Sequence, residues 1–110
     1  MVGPTPENDF DRRWALTVLA QVINRLQAEM ASAGKVELFR AVKDFLSGDG
    51  GGVSYSQAAA QCQMNEGALR VAVHRLRRRY REILREEIAS TVASPEEVED
   101  EIRHLFLSLG

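Results

Sequence analysis

Arginine is the residue type that points most clearly to a binding function in this 110-residue chain, because seven arginines lie within residues 64–85. The same segment contains only two acidic residues, so its formal charge is +5, whereas the whole chain carries −2 and the remainder therefore −7. Guanidinium groups pair well with phosphate oxygens, often through two parallel hydrogen bonds. We therefore expect any polyanion to bind this segment. Its arginines are Arg70, Arg75, Arg77, Arg78, Arg79, Arg81 and Arg85.

Other residue types that can do chemistry are few and scattered. Cys62 is the only cysteine, which excludes an intrachain disulfide and a cysteine-based metal cluster. His74 and His104 have no second ligand at a local spacing, so we expect no metal ion and no cofactor. The serines, histidines and cysteine form no evident pair of nucleophile and base. The sequence therefore predicts neither an enzyme nor a small-molecule substrate.

Length and composition fit one compact domain, and a hydrophobic content of 45% can supply its core. The N-terminal segment is acidic and lacks the apolar core of a secretion signal. No apolar run approaches the ~20 residues that span a bilayer. We therefore expect a cytoplasmic protein that does not interact with membranes.

Helical patterns cover most of the chain. Residues 1–8 contain two prolines and a glycine and are expected to form a flexible leader. From Asp9 an amphipathic helix is predicted, with Gly34 as a left-handed cap at its end, and a second helix is predicted over 36–46. The glycine-rich segment 47–53 is expected to be the most mobile internal loop. The apolar stripe predicted for the first helix is Phe10, Trp14, Val18, Val22, Leu26 and Met30.

A short helix, a tight turn and a long basic helix are predicted next. Ser54 can cap the short helix and Asn65 the long one, which meets no helix breaker until Ala93. Ala58 and Ala59 are small enough for the two helices to cross closely. This order of elements is typical of a helix-turn-helix unit, which we place at 54–85. The buried stripe of the long helix is predicted to be Leu69, Val73, Leu76, Tyr80, Ile83, Leu84 and Ile88.

The C-terminal segment predicts an acidic helix over 95–109, with Ser94 as cap, Pro95 in the first position and Glu97 in the third. Acidic residues are favoured at a helix N-terminus by its dipole. An alternative is that they fold against the arginines and compete with a polyanion. The predicted fold is all-α, with about five helices and no β-sheet, in a single domain over 9–110. The predicted stripe of the last helix is Val98, Ile102, Leu105, Phe106 and Leu109.

Residues 55–60 (YSQAAA) and 64–80 (MNEGALRVAVHRLRRRY) resemble region 4 of the sigma-70 family of bacterial RNA polymerase sigma factors, most closely the extracytoplasmic-function (ECF) type. The resemblance implies binding to the −35 element of double-stranded promoter DNA and docking on the β-flap of RNA polymerase core during transcription initiation. It also admits an anti-sigma factor as a partner. Gln63 stands where the family's turn usually has glycine, which predicts a strained or differently built turn.

By position, the resemblance implies that Glu66, Arg70, Val71 and His74 face the bases. Among these, we expect Arg70 and His74 to read base edges, while other arginines neutralise phosphates. The full set of predicted DNA-binding residues is Ser54, Ser56, Asn65, Glu66, Gly67, Arg70, Val71, His74, Arg75, Arg77, Arg78 and Arg81.

Several alternatives stay open. The chain could be a stand-alone helix-turn-helix regulator, or a helical protein–protein interaction module that binds through apolar surface and does not depend on arginines. RNA binding would favour exposed aromatic residues, and the basic helix predicts none. The arginines could also form a solvated face with ion pairs such as Arg78–Glu82 and Glu82–Arg85, each worth only ~0.3–0.5 kcal/mol. The two glutamates of the segment are too few for its seven arginines.

Overall fold

A computed structural model describes residues 6–46 and 52–109 of the chain. Within these two ranges the structure has five α-helices, one short 3₁₀ helix and no β-strand. The predicted all-α fold is confirmed. The elements are α1 (Pro6–Ser32), α2 (Val36–Val42), the 3₁₀ helix (Lys43–Phe45), α3 (Tyr55–Gln61), α4 (Glu66–Ala89) and α5 (Glu97–Leu109).

Some helix boundaries differ from the predicted ones. The first helix begins at Pro6 rather than Asp9, because proline fits the first turn, where an N–H group has no partner within the helix. Residues 1–5 of the predicted leader lie outside the described residues, as do residues 47–51 of the predicted mobile loop. Helix α4 ends at Ala89, where the hydroxyl groups of Ser90 and Thr91 donate to carbonyl groups of its last turn.

The last helix begins two residues later than predicted, at Glu97. The Glu97 carboxylate accepts hydrogen bonds from the backbone N–H groups of Ala93 (2.9 Å) and Ser94 (3.2 Å). The bond from Ser94 is the glutamate half of the predicted capping box. The predicted bond from Glu97 back to Ser94 is therefore present, but the predicted positions are wrong, because Glu97 is the first residue of α5 and Ser94 and Pro95 lie in the bend and turn before it.

A Schellman motif ends α1. Gly34 has a φ of +73°, the N–H of Lys35 donates to the carbonyl of Met30 (2.8 Å), and that of Gly34 donates to Ala31 (3.0 Å). These two bonds satisfy carbonyl groups that the last helical turn leaves without partners. The predicted left-handed cap at Gly34 is confirmed.

The same motif ends α3, but with glutamine in the left-handed position. Gln63 has a φ of +57°, the N–H of Met64 donates to the carbonyl of Ala59 (2.9 Å), and that of Gln63 donates to Ala60 (3.2 Å). The hydrogen bonds are therefore those of a regular turn. The turn is strained at Gln63, because a Cβ atom at this positive φ comes too close to the backbone. This clash destabilises the turn by roughly 1–2 kcal/mol.

The chain divides into two compact units, one formed by Arg25–Arg81 and the other by Met1–Asn24 with Glu82–Gly110. The first contains ten Lys and Arg against five Asp and Glu in the sequence, a formal charge of +5. The second contains four against eleven, a formal charge of −7. We call them the basic unit and the acidic unit. The predicted basic segment 64–85 lies mostly in the basic unit, while its residues 82–85 belong to the acidic unit, where Glu82 and Arg85 cancel in charge.

The core of the basic unit is built from all its helices, including the small residues expected at the α3 crossing, Ala58 and Ala59. Burying these apolar side chains fixes which face of each helix is turned away from solvent. The buried residues described in this unit are Leu26, Met30, Phe39, Val42, Phe45, Leu46, Ala58, Ala59, Leu69, Val73, Leu76 and Tyr80.

The acidic unit has a smaller core, and two predicted core residues lie outside it. Phe10 is 71% exposed and Phe106 is 51% exposed, so their predicted burial is wrong. Residues four apart on a helix are rotated by about 40° beyond a full turn. A long series at this spacing therefore does not stay on the buried face. Phe106 is turned about 100° from Leu105, on which the buried face of α5 is centred. The buried residues described in this unit are Ala15, Val18, Val22, Ile83, Leu84, Ile88 and Leu105.

Replacing Gln63 by glycine should stabilise the protein by about 1 kcal/mol, because glycine adopts a positive φ without a Cβ clash. The expected rise in Tm is about 4 °C, measured by circular dichroism. Gln63→Ala is the matched control, since it removes the same side chain but keeps Cβ, and should give no gain. Equal gains for the two variants would show that the strain does not lie in the backbone.

Candidate nucleic-acid interface

Helix α3 is short and depends on its caps. Ser54 Oγ accepts from the N–H of Gln57 (3.1 Å), and the N–H of Ser54 donates to Gln57 Oε1 (2.9 Å). This reciprocal capping box confirms the predicted cap at Ser54. It gives Ser54 a structural role beside the predicted DNA contact, while Ser56 is exposed on the first turn of the helix.

Asn65 fixes the start of α4. Its Oδ1 atom accepts from the N–H of Ala68 at 2.7 Å, and its carbonyl accepts the first helical bond, from the N–H of Leu69. The predicted cap at Asn65 is confirmed. Glu66 and Gly67 follow in the exposed first turn. A connection of four residues, 62–65, therefore joins two helices whose facing ends are both fixed by local hydrogen bonds.

The outer face of α4 is opposite its buried stripe. Its members are spaced by four, three, four and three residues, which places them on one side of a helix. Every one of them is exposed, including Val71 at 50%. We define the outer face as Gly67, Val71, His74, Arg78 and Arg81.

Arg70 lies beside the outer face and is held by two neighbours. Its Nη2 atom is 3.1 Å from Glu66 Oε1, and its guanidinium carbon is 4.3 Å from the centre of the Tyr55 ring. The Tyr55 ring in turn stacks on Phe45, with centroids 4.6 Å apart and planes 11° from parallel. This arrangement could not be predicted from the sequence, because Phe45, Tyr55 and Arg70 come from three different elements.

Arg77 and Arg79 are engaged inside the basic unit. Arg77 Nε donates to the carbonyl of Phe45 at 2.8 Å, and the Arg77 side chain is half-buried. Arg79 forms a two-bond pair with Glu29, from Nε at 2.9 Å and from Nη2 at 2.7 Å. The hydrogen bond from Arg79 lowers the pKa of the Glu29 carboxyl, and the charge of Arg79 acts in the same direction. These two arginines hold α4 to the preceding elements of the unit.

Arg70 pairs with Glu66 inside segment 64–85, whereas Arg79 and Arg85 have acidic partners from outside it. Glu29 of α1 pairs with Arg79, and in the acidic unit Glu99 of α5 pairs with Arg85 at 2.7 Å. The two local glutamates are too few for seven arginines, as expected, and the pair with Glu99 is one contact of the kind expected if the acidic C-terminal helix meets the arginines. Within residues 6–46 and 52–109, Arg75, Arg78 and Arg81 are exposed and form no ion pair.

An apolar groove of about 320 Å³ opens between the α1–α2 and α3–α4 turns of the basic unit. Burial raises the pKa of the Cys62 thiol in this groove, and the Glu37 carboxylate raises it further. None of the groove residues belongs to the predicted DNA-binding set. The groove is lined by Gly34, Lys35, Val36, Glu37, Leu38, Cys62 and Met64.

The described part of the chain holds no cluster of three His, Cys, Asp or Glu residues that could bind a metal ion. Within the same residues, no helix is both long and apolar enough to cross a bilayer.

No known family model matches the chain, and neither a curated protein nor a solved structure shows significant similarity to it. Its function is therefore inferred from its own residues and their geometry.

The raised pKa of Cys62 predicts slow alkylation of the folded protein, because only the thiolate reacts. The rate of iodoacetamide modification against pH should have a midpoint above that of the same chain unfolded in guanidinium. Glu37→Gln should lower this midpoint by removing the nearby negative charge. Glu66→Gln is the control, since Glu66 is not a cause of the shift, and a change as large as that of Glu37→Gln would contradict the explanation.

Proposed function

We propose that the basic unit binds promoter DNA as region 4 of an ECF-type sigma factor does, with α3 and α4 acting as a helix-turn-helix unit. The outer face of α4 carries this proposal. It presents exposed arginines that form no ion pair within residues 6–46 and 52–109, on a helix whose opposite side is buried. The orientation of the helix is therefore fixed before DNA binds. A role in transcription initiation would place the protein in the cytoplasm.

The first half of the outer face suits the major groove, which is about 12 Å wide and admits one α-helix. Gly67 has no side chain and allows the helix start to approach the DNA closely. Val71, half-exposed among polar residues, can contact a thymine methyl group, and His74 can donate to or accept from base edges. We assign base reading to this half, together with Arg70.

The second half of the outer face suits the phosphate backbone. Arg78 and Arg81 continue the same line along α4, and Arg75 lies beside it, all three exposed. Each arginine that neutralises a phosphate releases a condensed counterion, so these contacts raise affinity without selecting sequence. We assign Arg77 and Arg79 to holding α4 in place, because their side chains are bound within the unit.

The groove around Cys62 is the candidate site for the β-flap of RNA polymerase. Its lining is mainly apolar, and its residues are distinct from those of the proposed DNA surface. The two partners could therefore bind together, as recognition of a −35 element by polymerase requires. An anti-sigma factor would act by covering either surface.

A protein–protein interaction module is the second candidate. It is favoured by the acidic unit, where four large apolar side chains are at least half exposed. Single exposed apolar residues are common on protein surfaces, whereas several in one unit indicate a binding surface. The residues are Phe10, Leu16, Phe106 and Leu107. Such a module would bind its partner equally well after the arginines of α4 are replaced.

Replacing Arg78 or Arg81 by alanine should weaken binding to all duplexes about equally and reduce the salt dependence of log Kd by roughly one unit per arginine. The matched control is Arg13→Ala, which removes one exposed arginine from the acidic unit and should leave affinity nearly unchanged. Affinity is measured by fluorescence anisotropy on duplexes selected from random sequence at about 0.15 M salt. Equal losses for all three variants would contradict the proposed surface, and no binding by the native chain would refute DNA recognition.

Binding of the isolated β-flap should slow alkylation of Cys62, the only cysteine, by covering the groove. Duplex DNA alone should leave the rate unchanged, because the proposed DNA surface does not include Cys62. Flap binding that leaves the rate unchanged would place the flap elsewhere. No flap binding at high micromolar concentration would favour a stand-alone helix-turn-helix regulator.

A further inference from the structure

Three side chains form a stacked column that runs from the core of the basic unit to its surface. Phe45, 2% exposed, forms its base, the Tyr55 ring stacks on Phe45, and the Arg70 guanidinium lies over Tyr55. Neighbouring members are 4.6 Å and 4.3 Å apart. Arg70, the outermost member, has a side chain that is 58% exposed. The column therefore holds the exposed Arg70 guanidinium in place by contact with a residue that rests on the buried core.

The column uses one part of the guanidinium and leaves another accessible. The guanidinium carbon of Arg70 lies over the Tyr55 ring, whereas the N–H groups of a guanidinium point outward in its own plane. One nitrogen, Nη2, pairs with Glu66 Oε1 at 3.1 Å. The position of the group is thus restricted by contact with an aromatic ring and by a hydrogen bond to a carboxylate.

We propose that Tyr55 and Glu66 are positioning residues that hold Arg70 ready to read a guanine in the major groove. This inference rests on the proposed function. Two parallel N–H groups of arginine match the O6 and N7 acceptors of guanine, and no other base presents two acceptors side by side there. Because an arginine that is already ordered loses less conformational freedom on binding, the column favours this contact.

Glu66 adds discrimination as well as position. Its carboxylate repels phosphate, so Arg70 gains less from a contact with the DNA backbone than a free arginine would. An exposed i,i+4 pair is too weak to hold arginine by itself, which is why the Tyr55 ring is needed. Arg70 therefore differs from Arg78, which has neither an aromatic platform nor an ion pair within the described residues.

The test compares affinities for the selected duplex and for duplexes in which single guanines are replaced by 7-deazaguanine, which lacks the N7 acceptor. The native chain should lose affinity strongly at one guanine, and Arg70→Ala should abolish that preference. Tyr55→Leu should reduce the preference about five- to tenfold, a part of what one two-bond contact contributes. Tyr55→Phe, the matched control, keeps the ring and should stay within about twofold of the native preference.

Two further variants separate positioning from general binding or folding. Glu66→Gln should raise affinity for non-target duplexes and so lower the preference, while Arg78→Ala should weaken every duplex and leave the preference unchanged. If Tyr55→Leu fails to fold by circular dichroism, Glu66→Gln and the modified duplexes still decide the matter. Guanine preference that survives Arg70→Ala, or is unchanged in both Tyr55→Leu and Glu66→Gln, would overturn the inference while leaving DNA binding intact.

Discussion

Burial of one side of α4 fixes the rotation of this helix, and the arrangement of the proposed interface depends on it. Leu69, Val73 and Leu76 are almost completely removed from solvent. Because a helix is rigid over such a length, holding these residues inward turns His74 and Arg78 outward. An apolar constraint thus arranges the polar surface, and the contacts of Arg77 and Arg79 hold the helix in the same orientation.

Intrachain contacts divide the arginines of α4 into two groups with different roles. Arg77 and Arg79 bind a carbonyl and a carboxylate of earlier elements, which ties the middle of the helix to its own unit. Arg78, between them in sequence, is turned to solvent. Adjacent residues on a helix point about 100° apart, so a run of three arginines serves both support and surface. Composition alone would have assigned all three to one role.

Local chemistry was readable from the sequence. The caps at Ser54 and Asn65 and the left-handed turn at Gly34 each involve hydrogen bonds within five residues of chain, so residue type and spacing were enough to predict them. The expectation of a strained or differently built turn at Gln63 came instead from the resemblance to a family that usually has glycine there, and the positive φ of Gln63 supplies the strain. The helical class followed from periodicity along the chain.

The sequence by itself determined the helices, their caps and the charge of α4, because these depend on neighbours along the chain. Only the tertiary structure decided which arginines are occupied and which residues support Arg70. Glu29 is 50 residues from Arg79, and Phe45 is 32 residues from Arg77. Periodicity shows that one face of a helix is apolar, but not how far along the helix other elements pack against that face. The predicted burial of Phe10 was wrong for this reason. Such contacts exist only once packing has brought distant segments together.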